Sequence, residues 1–185
     1  MPKIINNLHD EILRKALKHL RSKGCEHFSL RDIAKFCKIG LGTIYNYFPN
    51  KQALLTSLMH QYWVDFDNEF NNTEVSQKNI YEKLRIIYKN IEHFTDIFHD
   101  IWLNSMDLLE NERKCLKGHA AVNMMGNKIS DLLEKAEIQK QIKIPEKATT
   151  AVLAKFILSN FMVMAHVKIL EYEQFETILK TILNK

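Results

Sequence analysis

The chain has 185 residues, 46% of them hydrophobic, with only 5 Gly and 3 Pro. That balance can bury a substantial core and argues against a loop-rich or all-β protein, so an all-α fold is expected. The net charge of +4 hides an asymmetry: residues 1–51 hold ten Lys/Arg against four acids, a net +6, which leaves −2 for the other 134 residues. A basic N-terminal third on an acidic remainder suits a nucleic-acid-binding head on a body with another task.

Met1 to Asn7 reads as a short arm. A helix is expected over Asn6–Lys23, with Leu8, Ile12, Leu13, Ala16, Leu17 and Leu20 on one face and Gly24 as its stop. Its other face carries Arg14, Lys18 and Arg21, within reach of phosphates. Ser29 with Asp32 has the form of a capping box and starts a short helix striped by Leu30, Ile33, Ala34 and Cys37. Gly40 and Gly42 bracket a break. Thr43–Phe48 is a second short helix crowded with Tyr45, Tyr47 and Phe48, and Pro49 ends it. Asn50 caps a third helix, over Asn50–Phe70, with Leu54, Leu55, Leu58, Tyr62 and Phe66 at helical spacing. Two short helices around a tight glycine turn make the helix-turn-helix pattern, whose second helix enters the DNA major groove.

The polar stretch Asn71–Gln77 marks the best domain boundary. The division is therefore 1–50 for a helix-turn-helix head, 50–70 for a linking helix and 71–185 for the body. The body reads as helices near Ser76–His93, Thr95–Asn111, Lys114–Gln139, Glu146–Leu170 and Glu171–Leu183. Asp96, Asp100 and Asp107 fall opposite the stripe of Phe98 and Trp102, as a solvated face does. The helix after Pro145 is apolar on nearly every side from Val152 to Val167, so it is expected to bury more than one side. One side then meets its own core and the other a partner subunit. The last helix lays Phe175, Ile178, Leu179, Ile182 and Leu183 along one stripe.

No catalytic constellation is present. The sequence lacks a G-x-S-x-G elbow, a phosphate-binding glycine loop, a dinucleotide fingerprint and an H-E-x-x-H pair. Cys115 and His119 stand four apart, but two residues do not make a metal site, and no metal or cofactor is expected. Cys25, Cys37 and Cys115 have no C-x-x-C spacing and read as free thiols. No apolar run approaches the roughly 18 uninterrupted residues that signal a membrane span, and no secretory leader opens the chain. A cytoplasmic protein without a membrane partner is expected.

The run Ile33-Ala34, Ile39, Gly42-Thr43-Ile44-Tyr45, Phe48, Asn50-Lys51, Ala53-Leu54 resembles the DNA-binding signature of TetR-type transcriptional regulators over about 30 residues. Lys38 stands where that family usually has glycine, Gly40 where it has a capping serine, and Tyr47 where histidine is common. The resemblance implies a regulator, not an enzyme. It implies a homodimeric repressor that binds palindromic double-stranded DNA and is released by a small-molecule effector. Carried over position by position, the DNA-facing residues are Ser29, Leu41, Gly42, Thr43, Tyr45, Asn46, Tyr47 and Lys51. The body would hold an effector pocket drawn from Phe98, Trp102, Met106, Met125, Phe156 and Asn160, with Phe94, Met124 and Met164 as further candidates. The last two helices would form a four-helix dimer contact through Leu153, Ile157, Phe161, Phe175, Leu179 and Ile182. Two readings compete: a small all-α enzyme, and an adaptor whose helix-turn-helix binds only protein.

Overall fold

The computed structural model describes residues 8–24, 28–71, 77–106 and 112–183, and side chains within these except over 99–121. Among the described residues the chain is all-α, with eight helices and no strand. They are α1 (Leu8–Lys23), α2 (Leu30–Cys37), α3 (Leu41–Tyr47), α4 (Lys51–Phe70), α5 (Ile80–Met106), α6 (Glu112–Ile138), α7 (Thr150–Val167) and α8 (Tyr172–Leu183).

The head is built from short helices, each ended by a local device. On α1, Ile12, Leu13, Ala16 and Leu20 are buried, and Gly24 closes the helix at φ 72° with its N–H on the Leu20 carbonyl. Ser29 caps α2: its Oγ accepts from Asp32 N at 3.1 Å while its hydroxyl donates to the Asp32 carboxylate. That donated hydrogen bond holds the Asp32 carboxyl below its ordinary value. At the other end Lys38 sits at φ 58°, ψ 41°, its N–H on Lys35 O, while Ile39 N–H reaches back to Ala34 O. This pair of bonds is the Schellman ending that glycine usually supplies. The turn therefore forms with lysine, against a steric cost of about 1–2 kcal/mol for a left-handed residue with a Cβ. Gly40 opens α3 with no side-chain cap, and the Asn50 side chain caps α4 by accepting from Ala53 N at 2.8 Å.

Two buried clusters divide the molecule. The head cluster gathers Ile12, Ala16, Leu20, Phe28, Ile33, Ile44 and Phe48 around Leu54, Leu58 and Tyr62 of α4. The body cluster takes over at Phe66 and Phe70 of the same helix and continues through α5, α6, α7 and α8. Helix α5 also crosses between them, with Ile80 to Ile91 in the body core and Phe94 and Phe98 in the head core. Where the two long helices meet, the Tyr62 hydroxyl donates to Asn90 O at 3.0 Å, and burial pushes that phenol's pKa up.

Helix boundaries in the body differ from expectation for local reasons. The break expected between His93 and Thr95 does not exist. Ile91, Phe94 and Phe98 continue one buried stripe through it, and the Thr95 hydroxyl donates to Ile91 O at 2.9 Å, as a mid-helix threonine does. Helix α5 begins at Ile80, not Ser76, because Asn79 and Glu82 form a reciprocal capping box at 2.9 and 3.0 Å. Helix α7 begins at Thr150, capped by Thr149, and ends before Lys168, which is left-handed at φ 54°. Arg85 of α5 ties α8 down through Glu173 at 3.1 Å and Glu176 at 2.7 Å. Burial pushes the Glu176 carboxyl up, and the hydrogen bonds from Lys180 and Arg85 more than reverse that.

The apolar helix α7 packs on α6 and α5. It is 18 residues long and apolar enough by composition to cross a bilayer, although polar interruptions keep it from being an unbroken run. Its inward face is Leu153, Ala154, Ile157, Leu158, Phe161, Met164 and Ala165, all buried within this chain. The expected partner contacts are corrected here. Leu153, Ile157, Phe161, Phe175 and Leu179 are 6% exposed or less and belong to the body core, with Ile182 half-buried beside them. The large apolar residues that face outward are Val152, Phe156, Val163 and Val167 on α7, and Ile178 on α8, between 45% and 61% exposed, with Lys155 and Ser159 exposed among them.

Candidate nucleic-acid interface

Helix α3 is seven residues long, and Ile44 is the residue it buries. That single anchor, with Phe48 just past the end at 2% exposure, fixes the helix on the head. Most of the rest turns outward. Tyr45 is 51% and Tyr47 42% exposed, Asn46 and Gly42 are exposed, and Leu41 and Thr43 are half-buried. A Cβ placed on Gly42 would meet nothing within 4 Å. The head's own packing therefore does not demand glycine there, whereas a surface pressed against another molecule would. Lys51 is exposed at the first turn of α4, with its Nζ 5.9 Å from the centre of the Phe28 ring. Lysine there adds its charge to the open N–H groups of a helix start, a combination that suits phosphate.

The structure thus turns Gly42, Tyr45, Asn46 and Tyr47 outward with Thr43 half-buried beside them and Lys51 just beyond, while Leu41 packs partly on the head core. Ser29 departs from the set. Its hydroxyl hydrogen is already given to Asp32, and a phosphate oxygen offers none in return. Arg14, Lys18 and Arg21 are exposed along α1, as their spacing predicted. Sequence reasoning passed over His9, whose ring stacks on Phe48 at 5.2 Å and lies 6.2 Å from Tyr47. Nothing in the local sequence links the two; only the approach of the first turn of α1 to the end of α3 does.

The effector candidates are not gathered into one place. Phe98 is fully buried in the head cluster and Met125 nearly so in the body cluster. Phe156 is 45% exposed on the outside of α7 and stacks on Phe175, so it does not line an interior site. Asn160 donates to Phe156 O at 2.8 Å. The side chains of Trp102 and Met106, like those of Asp100, Cys115 and His119, lie outside the described residues, as do Cys25 and Asp107 altogether. Of the other two aspects singled out in the sequence, Asp96 is exposed beside Lys168, and Cys37 is a buried free thiol. A cleft of about 260 Å³ opens at the end of the body away from the head, among Phe70, Asn71, Ile80, Leu132, Ala136 and Gln141. It shares no residue with the expected pocket. Among the described residues no three His, Cys, Asp or Glu side chains cluster to hold a metal ion.

A short helix held by one buried residue, with its polar face turned out beside a basic surface, defines a helix-turn-helix module. Residues 12–58 match the family model for bacterial regulatory proteins of the tetR family, which makes this segment of the chain similar to that family. It is 35% identical over 111 residues to the uncharacterized HTH-type transcriptional regulator YuxN of Bacillus subtilis, covering 57% of this chain and 38% of that protein. It is 29% identical over 120 residues to DhaS of Lactococcus lactis, the HTH-type activator of the dhaKLM operon, covering 56% and 63%. In both cases the match spans less than two thirds of the relative's length. The fold is similar to that of the repressor FadR of Thermus thermophilus in complex with lauroyl-CoA, with a TM-score of 0.58 at 20% identity, covering 94% of this chain and 92% of that one.

Proposed function

We propose that the protein is a cytoplasmic, homodimeric repressor that binds a palindromic DNA operator and leaves it when a small molecule binds. The observation that carries this reading is the outward face of α3, where Thr43, Tyr45, Asn46 and Tyr47 are presented around an open Gly42. Residues 1–50 act as the head, α4 links it, and residues 71–185 bind the effector and the partner subunit. Thr43 and Asn46 read base edges, an amide suiting adenine, and Leu41 packs on a thymine methyl. Tyr45, Tyr47 and Lys51 hold phosphates.

The partner contact uses the outward stripe of Val152, Phe156, Val163 and Val167 with Ile178, since apolar side chains exposed together on adjoining helices, rather than singly, mark an interface. A two-fold contact reuses the same stripe on both subunits and sets two α3 helices on one side. The effector binds within the body. It releases DNA by preferring the dimer whose heads are wrongly spaced. The similarity to DhaS supports a second reading, activation, in which the same contacts recruit transcription instead of blocking it.

The test is a titration of the purified protein into duplexes recovered by repeated selection from a random-sequence library. A palindromic consensus and a complex that weakens steeply with salt are expected. Failure to enrich any duplex, with no shift even at low salt, overturns the reading and leaves the adaptor.

A further inference from the structure

We propose that His9 is a positioning residue for the DNA-facing helix, and that it couples DNA binding to uptake of one proton. His9 is in the first turn of α1, yet its ring lies against the far end of α3. It stacks on Phe48 at 5.2 Å with the planes 29° apart, and it is 6.2 Å from the Tyr47 ring. Phe48 is buried and Tyr47 is 42% exposed, so the imidazole sits where the anchored end of α3 meets its open face. The His9 side chain is itself 45% exposed. The helix is held by Ile44 and, just past its end, by Phe48, and its last outward side chain, Tyr47, is left 42% exposed. The His9 ring supplies a second wall for Tyr47.

The protonation chemistry follows from the neighbours. From its own helix, the Asp10 carboxylate lies 2.9 Å from Nδ1; from α3, the Tyr47 phenol faces the ring. A carboxylate only accepts, so Nδ1 carries the hydrogen and Nε2 is the nitrogen that titrates. The inference rests on the reading that Tyr47 meets phosphate. A phosphate brought to Tyr47 is also brought to the imidazole, and it favours the charged ring. The sign is then fixed: DNA raises the His9 pKa above its value in the free protein. The extra affinity is complete at low pH, where the ring is charged with or without DNA, and is lost as pH rises through the higher value in the complex.

The experiment measures the affinity of the wild type, His9→Phe and His9→Ala for a duplex selected on the wild type, at fixed salt across pH 5.5–8.5, the range in which an ordinary histidine of pKa about 6.5 titrates. The His9 ring signals are followed by NMR with and without that duplex. The wild type is expected to bind roughly three- to tenfold tighter at pH 6 than at pH 8, a gain consistent with one phosphate contact. Phenylalanine keeps the stack and should flatten the profile at the weaker, high-pH level. Alanine should weaken binding at every pH. The ring pKa should rise when DNA is added. A His9→Phe profile that matches the wild type, with an unmoved ring pKa, overturns the inference while leaving DNA binding intact. A wild type that selects no duplex overturns both.

Discussion

Helices α3 and α7 each present side chains to the outside, and the two faces have opposite chemistry. On α3 the outward residues are a glycine, a threonine, an asparagine and two tyrosines, near exposed lysines and arginines. On α7 they are three valines and a phenylalanine, with Ala151, Lys155 and Ser159 among them. A polar face with open N–H groups and cations suits a wet, charged partner such as nucleic acid, because its polar groups would be left unpaired against an apolar surface. The apolar side chains of that face gain about 25 cal/mol for each Å² removed from water, provided exposed Lys155 and Ser159 keep water or find partners, so the face suits a copy of itself. Exposure alone does not distinguish them; what is exposed does.

The largest effect should come from adjacent residues on α7 that face opposite ways. Ile157→Asp buries an unpaired carboxylate in a closed core and should cost more than about 4 kcal/mol, unfolding the body by circular dichroism. Leu153→Asp belongs with it. Phe156→Asp should leave helicity and melting near wild type, yet sediment as a monomer. Losing the second head should lower operator affinity by about a hundredfold or more. A Phe156→Asp protein that still sediments as a dimer would break the comparison on the α7 side, as would a wild type that is monomeric at micromolar concentration.

On α3 the effects are smaller and divide by kind. Thr43→Ala or Asn46→Ala should cost about 1–3 kcal/mol on the selected duplex and little on random DNA. Equal losses on both would show that these residues position without reading. Lys51→Ala should weaken binding to all sequences alike and reduce the slope of log affinity against log salt by about one. An unchanged slope would remove Lys51 from the phosphate contacts. The smallest effect lies in the turn. Lys38→Gly should stabilise the head by about 0.5–1 kcal/mol, by relieving a left-handed lysine at the price of a looser unfolded chain. A lower melting temperature would show that the lysine side chain contributes more than its strain costs.

Much of the head was legible because its signals are local. Ser29 with Asp32, Pro49 and Asn50 each act within four residues, and all four behave in the structure as their types predict. The caps at Asn79–Glu82 and Thr149 were equally present in the sequence and were overlooked beneath longer apolar patterns. The orientation of α7 was only weakly legible. Leu153, Ile157, Phe161 and Met164 are at helical spacing, and so are Val152, Phe156, Val163 and Val167. With both stripes largely apolar, the marks of the outward side are Lys155 and Ser159, both exposed, and packing on α5 and α6 agrees with them. The effector candidates failed for a related reason. Large apolar side chains such as Phe98 fill cores far more often than pockets, and spacing cannot separate the two uses.

The passage of α4 through both cores has a mechanical consequence. Its 20 residues make a rod about 30 Å long, with its first turn joined to α3 through three residues and its last turn, at Phe66 and Phe70, set among the body helices. Such a rod is a lever arm. A tilt of about 10° at the Phe70 end, well within what a repacked core permits, sweeps the Lys51 end through about 5 Å, by the length that helix geometry gives. Successive base pairs are about 3.4 Å apart along the duplex, so that sweep exceeds one step of the ladder α3 would have to match. In a two-fold assembly both arms swing together, and the mismatch doubles.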